Sequence, residues 1–330
     1  MGIGHGKVIL LGEHGVVYGR PALAASLGVG CRASAVFSDA TSIRIESEEN
    51  QKSFSRAGTF NQLRDVELFV DRPNEVDENE SLRRAFAALL DTYPKPMPHL
   101  ALRIASDLPG GAGLGCSAAL AVAATRAIDS LIGISRDSTQ VAEASMAWER
   151  IFHGNPSGID SAVAARGGIA VFYRGRPLEM IDTKRLPLMV IGHSGESAST
   201  RAMVEKVALR HARFRSELEA LFDEMADLVI KGRIALETGD IVGFGELMNR
   251  DQVLLDRLQV STPRLEEMCA VAREAGALGA KLTGGGGGGC MIALVADEQA
   301  SQNVMDALKK LGYQAFTARV GVGAGSANEC

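Results

Sequence analysis

Pro109-Gly110-Gly111-Ala112-Gly113-Leu114-Gly115-Cys116-Ser117-Ala118-Ala119 is a glycine-rich turn that feeds directly into an alanine-rich helix. Glycines without a Cβ let backbone N–H groups crowd around a ligand. The first turn of the helix adds unpaired N–H donors and roughly half a positive charge. Together these make a cradle for an anion, phosphate above all. Gly110 to Ser117 fits the Walker pattern except that Cys116 stands in place of the phosphate-binding lysine, which argues against a P-loop NTPase. Gly113-x-Gly115-x-x-Ala118 meets the short dinucleotide fingerprint, but the residues after it read as helix, turn at Gly133 to Ser135, and helix again. A second strand ending in an acidic residue is missing, so a Rossmann site is disfavoured. The alternative is a tight turn packed under a helix, with no ligand.

Outward from this loop, the chain has 330 residues, more than one core usually organises, so two domains are expected. With 46% apolar residues both can have substantial cores. A net charge of -5 without a basic block argues against nucleic acid, and the mixed, acidic stretch Arg72 to Arg84 reads as a solvated loop. Five cysteines, Cys31, Cys116, Cys269, Cys290 and Cys330, stand at irregular spacing with no Cys-x-x-Cys, which suggests reduced thiols and a cytoplasmic enzyme. The apolar run Val8 to Leu11 is too short for a signal or a membrane span, and neither myristoylation nor prenylation signals are present.

Alternating strands and helices are expected. Val8 to Leu11 and Val16 to Tyr18 read as strands around a Gly-Glu-His-Gly turn, and Ala33 to Phe37 with Ser42 to Glu46 as a half-buried pair. Leu100 to Ile104 is a strand leading into the glycine loop. Cys116 to Leu131 and Thr139 to Phe152 read as helices, and Gly168 to Tyr173 and Leu188 to Gly192 as buried strands. From Val204 to Val229 apolar positions recur at three and four residue spacing, which predicts one amphipathic helix of about eight turns. Helices at Gly245 to Leu258 and Pro263 to Ala275 come next. Strand Met291 to Val295, helix Gln299 to Leu311 and strand Gln314 to Val320 close the pattern, with a frayed tail from Gly321.

Four segments carry the chemistry. Lys7 opens an apolar strand that ends in Gly12-Glu13-His14-Gly15, so one cation and two polar groups can be aimed at a common point; an edge lysine is also commonly just solvated. In the glycine loop Ser117 can place its hydroxyl on a phosphate or on Mg²⁺, or simply cap the helix. Glu149 ends a predicted helix and Asp160 opens the next element, with the compact turn Gly154-Asn155-Pro156-Ser157-Gly158 between them. Two carboxylates so linked suit a hard cation and a substrate hydroxyl, or else Asp160 and Ser157 cap a helix. His153 lacks a second ligand at metal-binding spacing. Finally, Gly279-Ala280-Lys281-Leu282-Thr283 precedes six glycines, Gly284 to Gly289. Such a run implies close backbone approach to a ligand or to a facing loop.

The order Lys7 to His14, Pro109 to Ala119, Lys281 to Gly289 resembles the three motifs of the GHMP small-molecule kinases. Within that superfamily the chain is similar to the mevalonate kinase branch, on GKVILLGEHGVVYGRPA (Gly6 to Ala22), ERIFHGNPSGID (Glu149 to Asp160), SGESASTRAMVEKV (Ser194 to Val207) and AGALGAKLTGGGGGG (Ala275 to Gly289). The likeness covers nearly the whole chain outside Glu46 to Pro98, and the His-Gly-Asn-Pro-Ser-Gly-x-Asp segment is its most specific part.

The resemblance implies an α+β, two-domain GHMP kinase fold. Its N-terminal part, residues 1–182, is ribosomal protein S5 domain 2-like and its C-terminal part, 183–330, ferredoxin-like, with the active site in the cleft between them. It implies ATP-dependent phosphorylation of the 5-hydroxyl of (R)-mevalonate in isoprenoid biosynthesis, and a homodimer by family habit. Residue by residue, it implies a catalytic pair Asp160 and Lys7; ATP held by Pro109, Gly110, Gly111, Ala112, Gly113, Leu114, Gly115, Cys116 and Ser117; Mg²⁺ held by Ser117 and Glu149; and mevalonate contacted by Glu13, His14, Thr200, Gly284 and Gly285. A carboxylate is far too weak a base to deprotonate an alcohol outright, so Asp160 is expected to orient the hydroxyl and take its proton late, as the O–P bond forms. Lys7 offsets charge developing in transfer. Cys116 in place of the usual serine, Gly285 in place of an alanine and Arg250-Asp251 in place of a frequent Asn-His depart from the pattern. A phosphomevalonate kinase, a mevalonate 3-kinase and a catalytically idle metabolite sensor are the competing readings.

Overall fold

The computed structural model describes residues 1–47, 66–69, 80–108, 112–154, 156–196 and 199–322. In chain order the elements are β1 (Gly2–Leu11), a 3-10 helix (Gly15–Tyr18), β2 (Ala22–Phe37), β3 (Ser42–Ser47), β4 (Val66–Phe69), α1 (Glu80–Leu90), β5 (Leu100–Ser106), α2 (Cys116–Ile132), α3 (Ser138–His153) and α4 (Ile159–Arg166). There follow β6 (Ile169–Phe172), β7 (Glu179–Ile181), β8 (Leu188–His193), α5 (Thr200–Arg213), α6 (Arg215–Thr238), α7 (Ile241–Arg257), α8 (Pro263–Glu274), β9 (Gly279–Leu282), β10 (Cys290–Val295), α9 (Glu298–Lys310) and β11 (Gln314–Arg319).

The chain forms two compact units, and β1 and β2 give residues to both. The first comprises Met1–Gly6, Val29–Gly111 and Gly115–Arg166; the second comprises Lys7–Gly28, Ala112–Leu114 and Gly167–Cys330. This grouping follows tertiary contacts and interleaves the sequence, whereas the expected division at 182/183 is one of motifs.

In the first unit β5 lies between β2, antiparallel, and β3, parallel, with β4 beyond β3. The sequence reading expects Ala33–Phe37 and Ser42–Glu46 to pair with each other, but they do not: both find partners in β5. The alanine content of α2 is explained by close approach. A Cβ at Gly2 or Gly4 would come 2.1 Å from the carbonyl oxygens of Ala123 and Ala119, so β1 runs backbone to backbone against the helix. The other faces of α2 meet α3 and α4 through small residues such as Ala118, Ala142 and Ala164. α1 replaces part of the expected solvated loop: Leu82, Phe86 and Leu89 are buried on one face. The rest of that charged stretch, 72–79, lies outside the described residues.

In the second unit β11-β8-β10-β9 form an antiparallel sheet, with α8 and α9 packed against it, as the ferredoxin-like expectation requires. Val16 to Tyr18 is not a strand. It belongs to the 3-10 helix, which His14 (φ 58°) enters and Gly19 (φ 80°) ends in left-handed conformations. The single long helix expected after Val204 is two, parted at Phe214 with φ −128° and ψ 49°. Buried Val207 of α5 and Leu218 of α6 stand eleven residues apart, roughly three whole turns, so the apolar stripe stays in phase across the break. Among the described residues no helix is long and apolar enough to cross a membrane.

Candidate active site

In the first unit, α2 starts at Cys116 after Gly115, which is left-handed (φ 72°) and offers no side-chain cap. The first N–H groups of α2 thus have no capping side chain, the arrangement that suits an anion. Ser117 does not cap the helix. Its buried hydroxyl donates to Glu149 Oε1 at 2.5 Å, and Glu149, 2% exposed on α3, has its other oxygen 3.7 Å from His153 Nε2. A hydroxyl and a carboxylate converging in this way are hard oxygen donors. They suit Mg²⁺, which usually takes one or two carboxylates and completes its shell with water and substrate phosphates. Among the described residues no group of three or more His, Cys, Asp or Glu side chains could hold a metal by itself. Asp160 is half-buried in the first turn of α4, after left-handed Gly158 (φ 90°), and α4 packs on α3, which carries Glu149. At the start of α4 the Ser157 hydroxyl accepts from the Ile159 N–H at 3.4 Å.

Cys116 lies beside Ser117 and is partly exposed. Its sulfur and that of buried Cys31 flank the Ser106 hydroxyl, at 3.9 and 3.4 Å. Interaction with Cys31 holds the Cys116 thiol below its ordinary pKa against the opposing effect of burial, while burial pushes Cys31 well above.

In the second unit, Lys7 is 4% exposed; its ammonium donates to Gly113 O at 3.4 Å and its backbone N–H to Leu114 O at 2.9 Å. Pro109, Gly110 and Gly111 lie outside the described residues. Of the expected loop residues in this unit, Ala112 and Leu114 are buried and Gly113 is exposed at φ 79°. Gly113 sits against the third motif: a Cβ on Gly284 would meet Gly113 O at 3.4 Å. Thr283 joins that motif to β1, its hydroxyl accepting from the Ile9 N–H at 2.9 Å and donating to Ile9 O at 3.1 Å. At Gly286 (φ 73°) a Cβ would fall 2.2 Å from Val260 O, which is why this segment needs glycine.

Of the residues expected to contact the substrate, His14, Gly285 and Thr200 are brought together. His14 Nε2 donates to Gly285 O at 2.9 Å, and a Cβ on Gly285 would lie 3.3 Å from Thr200 Cα. Burial lowers the His14 pKa, so the ring is neutral. Glu13 points elsewhere. It is fully buried and bonds Lys281, which also lies 3.5 Å from Asp251 on α7. Burial raises the Glu13 carboxyl to about 8, with Lys281 opposing, and burial raises Asp251 as well. In the sequence Asp251 stands out only as a departure from a motif. A lysine within an apolar strand and an aspartate among apolar helix positions are the signals that mark them as partners.

The family model described as GHMP kinases N terminal domain matches residues 80–168, and that described as GHMP kinases C terminal matches residues 233–314. The chain is 34% identical to a mevalonate kinase of Pyrococcus abyssi and 35% identical to one of Pyrococcus horikoshii, each over 95% of this chain and 93% of the other. The chain belongs to the mevalonate kinase family of the GHMP kinases. Among solved structures it is similar to the L. major mevalonate kinase in complex with R-mevalonate, at a TM-score of 0.80 and 27% identity, covering 96% of this chain and 95% of that one.

Proposed function

We propose that this kinase transfers the γ-phosphoryl of ATP to the 5-hydroxyl of (R)-mevalonate, giving 5-phosphomevalonate and ADP, in the mevalonate pathway of isoprenoid biosynthesis. The observation that carries the reading is the likeness to mevalonate kinases along nearly the whole chain, including one solved with R-mevalonate. It is supported by the cluster of His14, Gly285 and Thr200, which offers a neutral ring and backbone groups to an alcohol. In this reading His14 and Thr200 contact the substrate, Gly284 and Gly285 give it backbone room, and Glu13 holds the turn from behind. Residues 1–182 carry the ATP loop and catalytic residues, and residues 183–330 the third motif.

Phosphoryl transfer has a loose transition state, so positioning and charge neutralisation dominate. Asp160 orients the attacking hydroxyl and accepts its proton as the O–P bond forms. Lys7 supplies positive charge against charge developing on the transferred group. The residues that would hold Mg²⁺ are Ser117 and Glu149, and the ion, when bound, neutralises phosphate charge that no loop lysine meets. The loop from Pro109 to Ser117 holds the triphosphate through its backbone.

A phosphomevalonate substrate would call for extra cations. Arg20, the nearest candidate in the first motif, is occupied by Glu219 at 2.6 Å and Asp223 at 2.7 Å. A cytoplasmic location and a homodimer accompany the proposal, the latter read by sedimentation. The deciding experiment is ADP release with Mg-ATP and a panel of mevalonate, 5-phosphomevalonate, homoserine and galactose, with the position of the new phosphate read by ³¹P NMR. Turnover of any panel member in preference to mevalonate overturns the reading.

A further inference from the structure

Glu13, Lys281 and Asp251 place two carboxyl groups around one ammonium with all three side chains at 0% exposure. Two full negative charges against one positive would leave a net buried charge, which a protein interior tolerates poorly. The polar atoms point the same way. Glu13 Oε2 and both Asp251 oxygens are buried without a hydrogen-bond partner of ordinary geometry, although Asp251 faces the Glu13 carboxyl and the Gly12 backbone. One proton held between the two carboxyls makes the cluster neutral and joins Glu13 Oε2 to one of the Asp251 oxygens. Among the described residues no other charged group relieves it: the facing thiol of Cys269 on α8 is pushed up to about 12 by burial and stays neutral, and the His14 ring is held neutral. Gln252, on α7 beside Asp251, is bonded to the Leu282 N–H and to Glu266.

The cluster touches function through the chain. Glu13 is covalently next to His14, whose ring bonds Gly285 from a left-handed backbone (φ 58°), and Lys281 lies on β9, which leads through Thr283 into the same glycine motif. We infer that Asp251 is a positioning residue for the substrate turn: by sharing one proton with Glu13 across Lys281, it fixes Glu13 and thereby His14 in the orientation that binds the alcohol substrate. This rests on the mevalonate reading above.

The test is steady-state kinetics of the full chain with Mg-ATP and mevalonate from about pH 6 to pH 9.5, for wild type, Asp251→Asn and Glu13→Gln. In wild type, loss of the shared proton above about pH 8 raises KM for mevalonate by up to about tenfold per pH unit, while KM for ATP does not follow. Either amide supplies the hydrogen bond without a proton to lose, so in both variants that alkaline rise disappears, and if one fails to fold the other decides. A rise that persists unchanged in the variants, or that appears equally in KM for ATP, overturns the positioning role. Thermal unfolding without substrate is run alongside. The wild-type Tm falls between about pH 5 and pH 8 and the fall flattens in the variants, because the folded carboxyl holds its proton to a higher pH than the unfolded one. Absence of mevalonate turnover by wild type at every pH overturns the substrate reading and the positioning role with it, and the Tm profile then still decides whether the proton is shared.

Discussion

His14 Nε2 donates to the backbone oxygen of Gly285 at 2.9 Å, joining the first motif to the third across 271 positions of sequence. The bond requires a proton on Nε2, and burial keeps the ring from taking a second one. His14→Ala removes the bond and the ring together. We expect KM for mevalonate to rise about tenfold, the worth of one well-made hydrogen bond, with kcat and KM for ATP changed much less. Steady-state kinetics read the split; an equal loss in ATP affinity would place the histidine's role in folding rather than in substrate binding.

Asp160 is assigned the proton of the substrate hydroxyl. Asp160→Asn should lower kcat by about 10²–10⁴-fold, the usual contribution of a positioned base, and leave nucleotide binding by calorimetry nearly intact. Retention of more than about a tenth of wild-type turnover removes the base role.

Ser117 and Glu149 are assigned the cation. The hydroxyl already donates to the carboxylate at 2.5 Å, so Ser117→Ala leaves the carboxylate in place and deletes only one ligand. The variant should need several-fold more Mg²⁺ for half-maximal velocity at fixed ATP. A titration superimposable on that of wild type would show that the hydroxyl is structural.

The close backbone approach of the third motif was legible because a run of glycines is a direct statement about backbone approach; Gly286 against Val260 is such a case. Elements with their own period, such as α2 and α3, were legible too. What escaped was information that sequence spacing does not carry. The stripe from Val207 to Leu218 keeps phase through Phe214, so the break between α5 and α6 leaves no trace in the pattern. α1 hid its apolar face, Leu82, Phe86 and Leu89, under a charged composition. The neutralisation of Lys281 depends on carboxyls 268 positions away at Glu13 and 30 away at Asp251, and only the fold brings these together.

Cys116 is the one described cysteine that is only partly buried, and the only one whose thiol is held below its ordinary pKa; burial pushes Cys269 up to about 12, and Cys31 and Cys290 upward as well. The thiolate is the reactive form, so iodoacetamide at pH 7.5 should label Cys116 before Cys31, Cys269 and Cys290. Saturating Mg-ATP should slow the labelling if the loop holds the nucleotide. Peptide mapping by mass spectrometry reads both effects, and faster labelling of Cys269 or Cys290 would contradict this order of reactivity.

Lys281→Met tests how much the buried cation matters to the fold. The substitution keeps most of the side-chain volume, so packing is nearly unchanged, but Glu13 and Asp251 lose their ammonium partner at full burial. Removing one member of such a buried cluster costs about 3–5 kcal/mol. The sign with pH is set by the remaining carboxyls. Without Lys281 both should hold their protons to a higher pH in the folded state than in the unfolded one, so folding binds protons and stability is lost as pH rises. Urea midpoints should therefore fall further below wild type at pH 8 than at pH 5, where the carboxyls can be neutral. Equal losses at both values would mean that the lysine acts by packing, and that the charge balance around Glu13 is not what holds this turn.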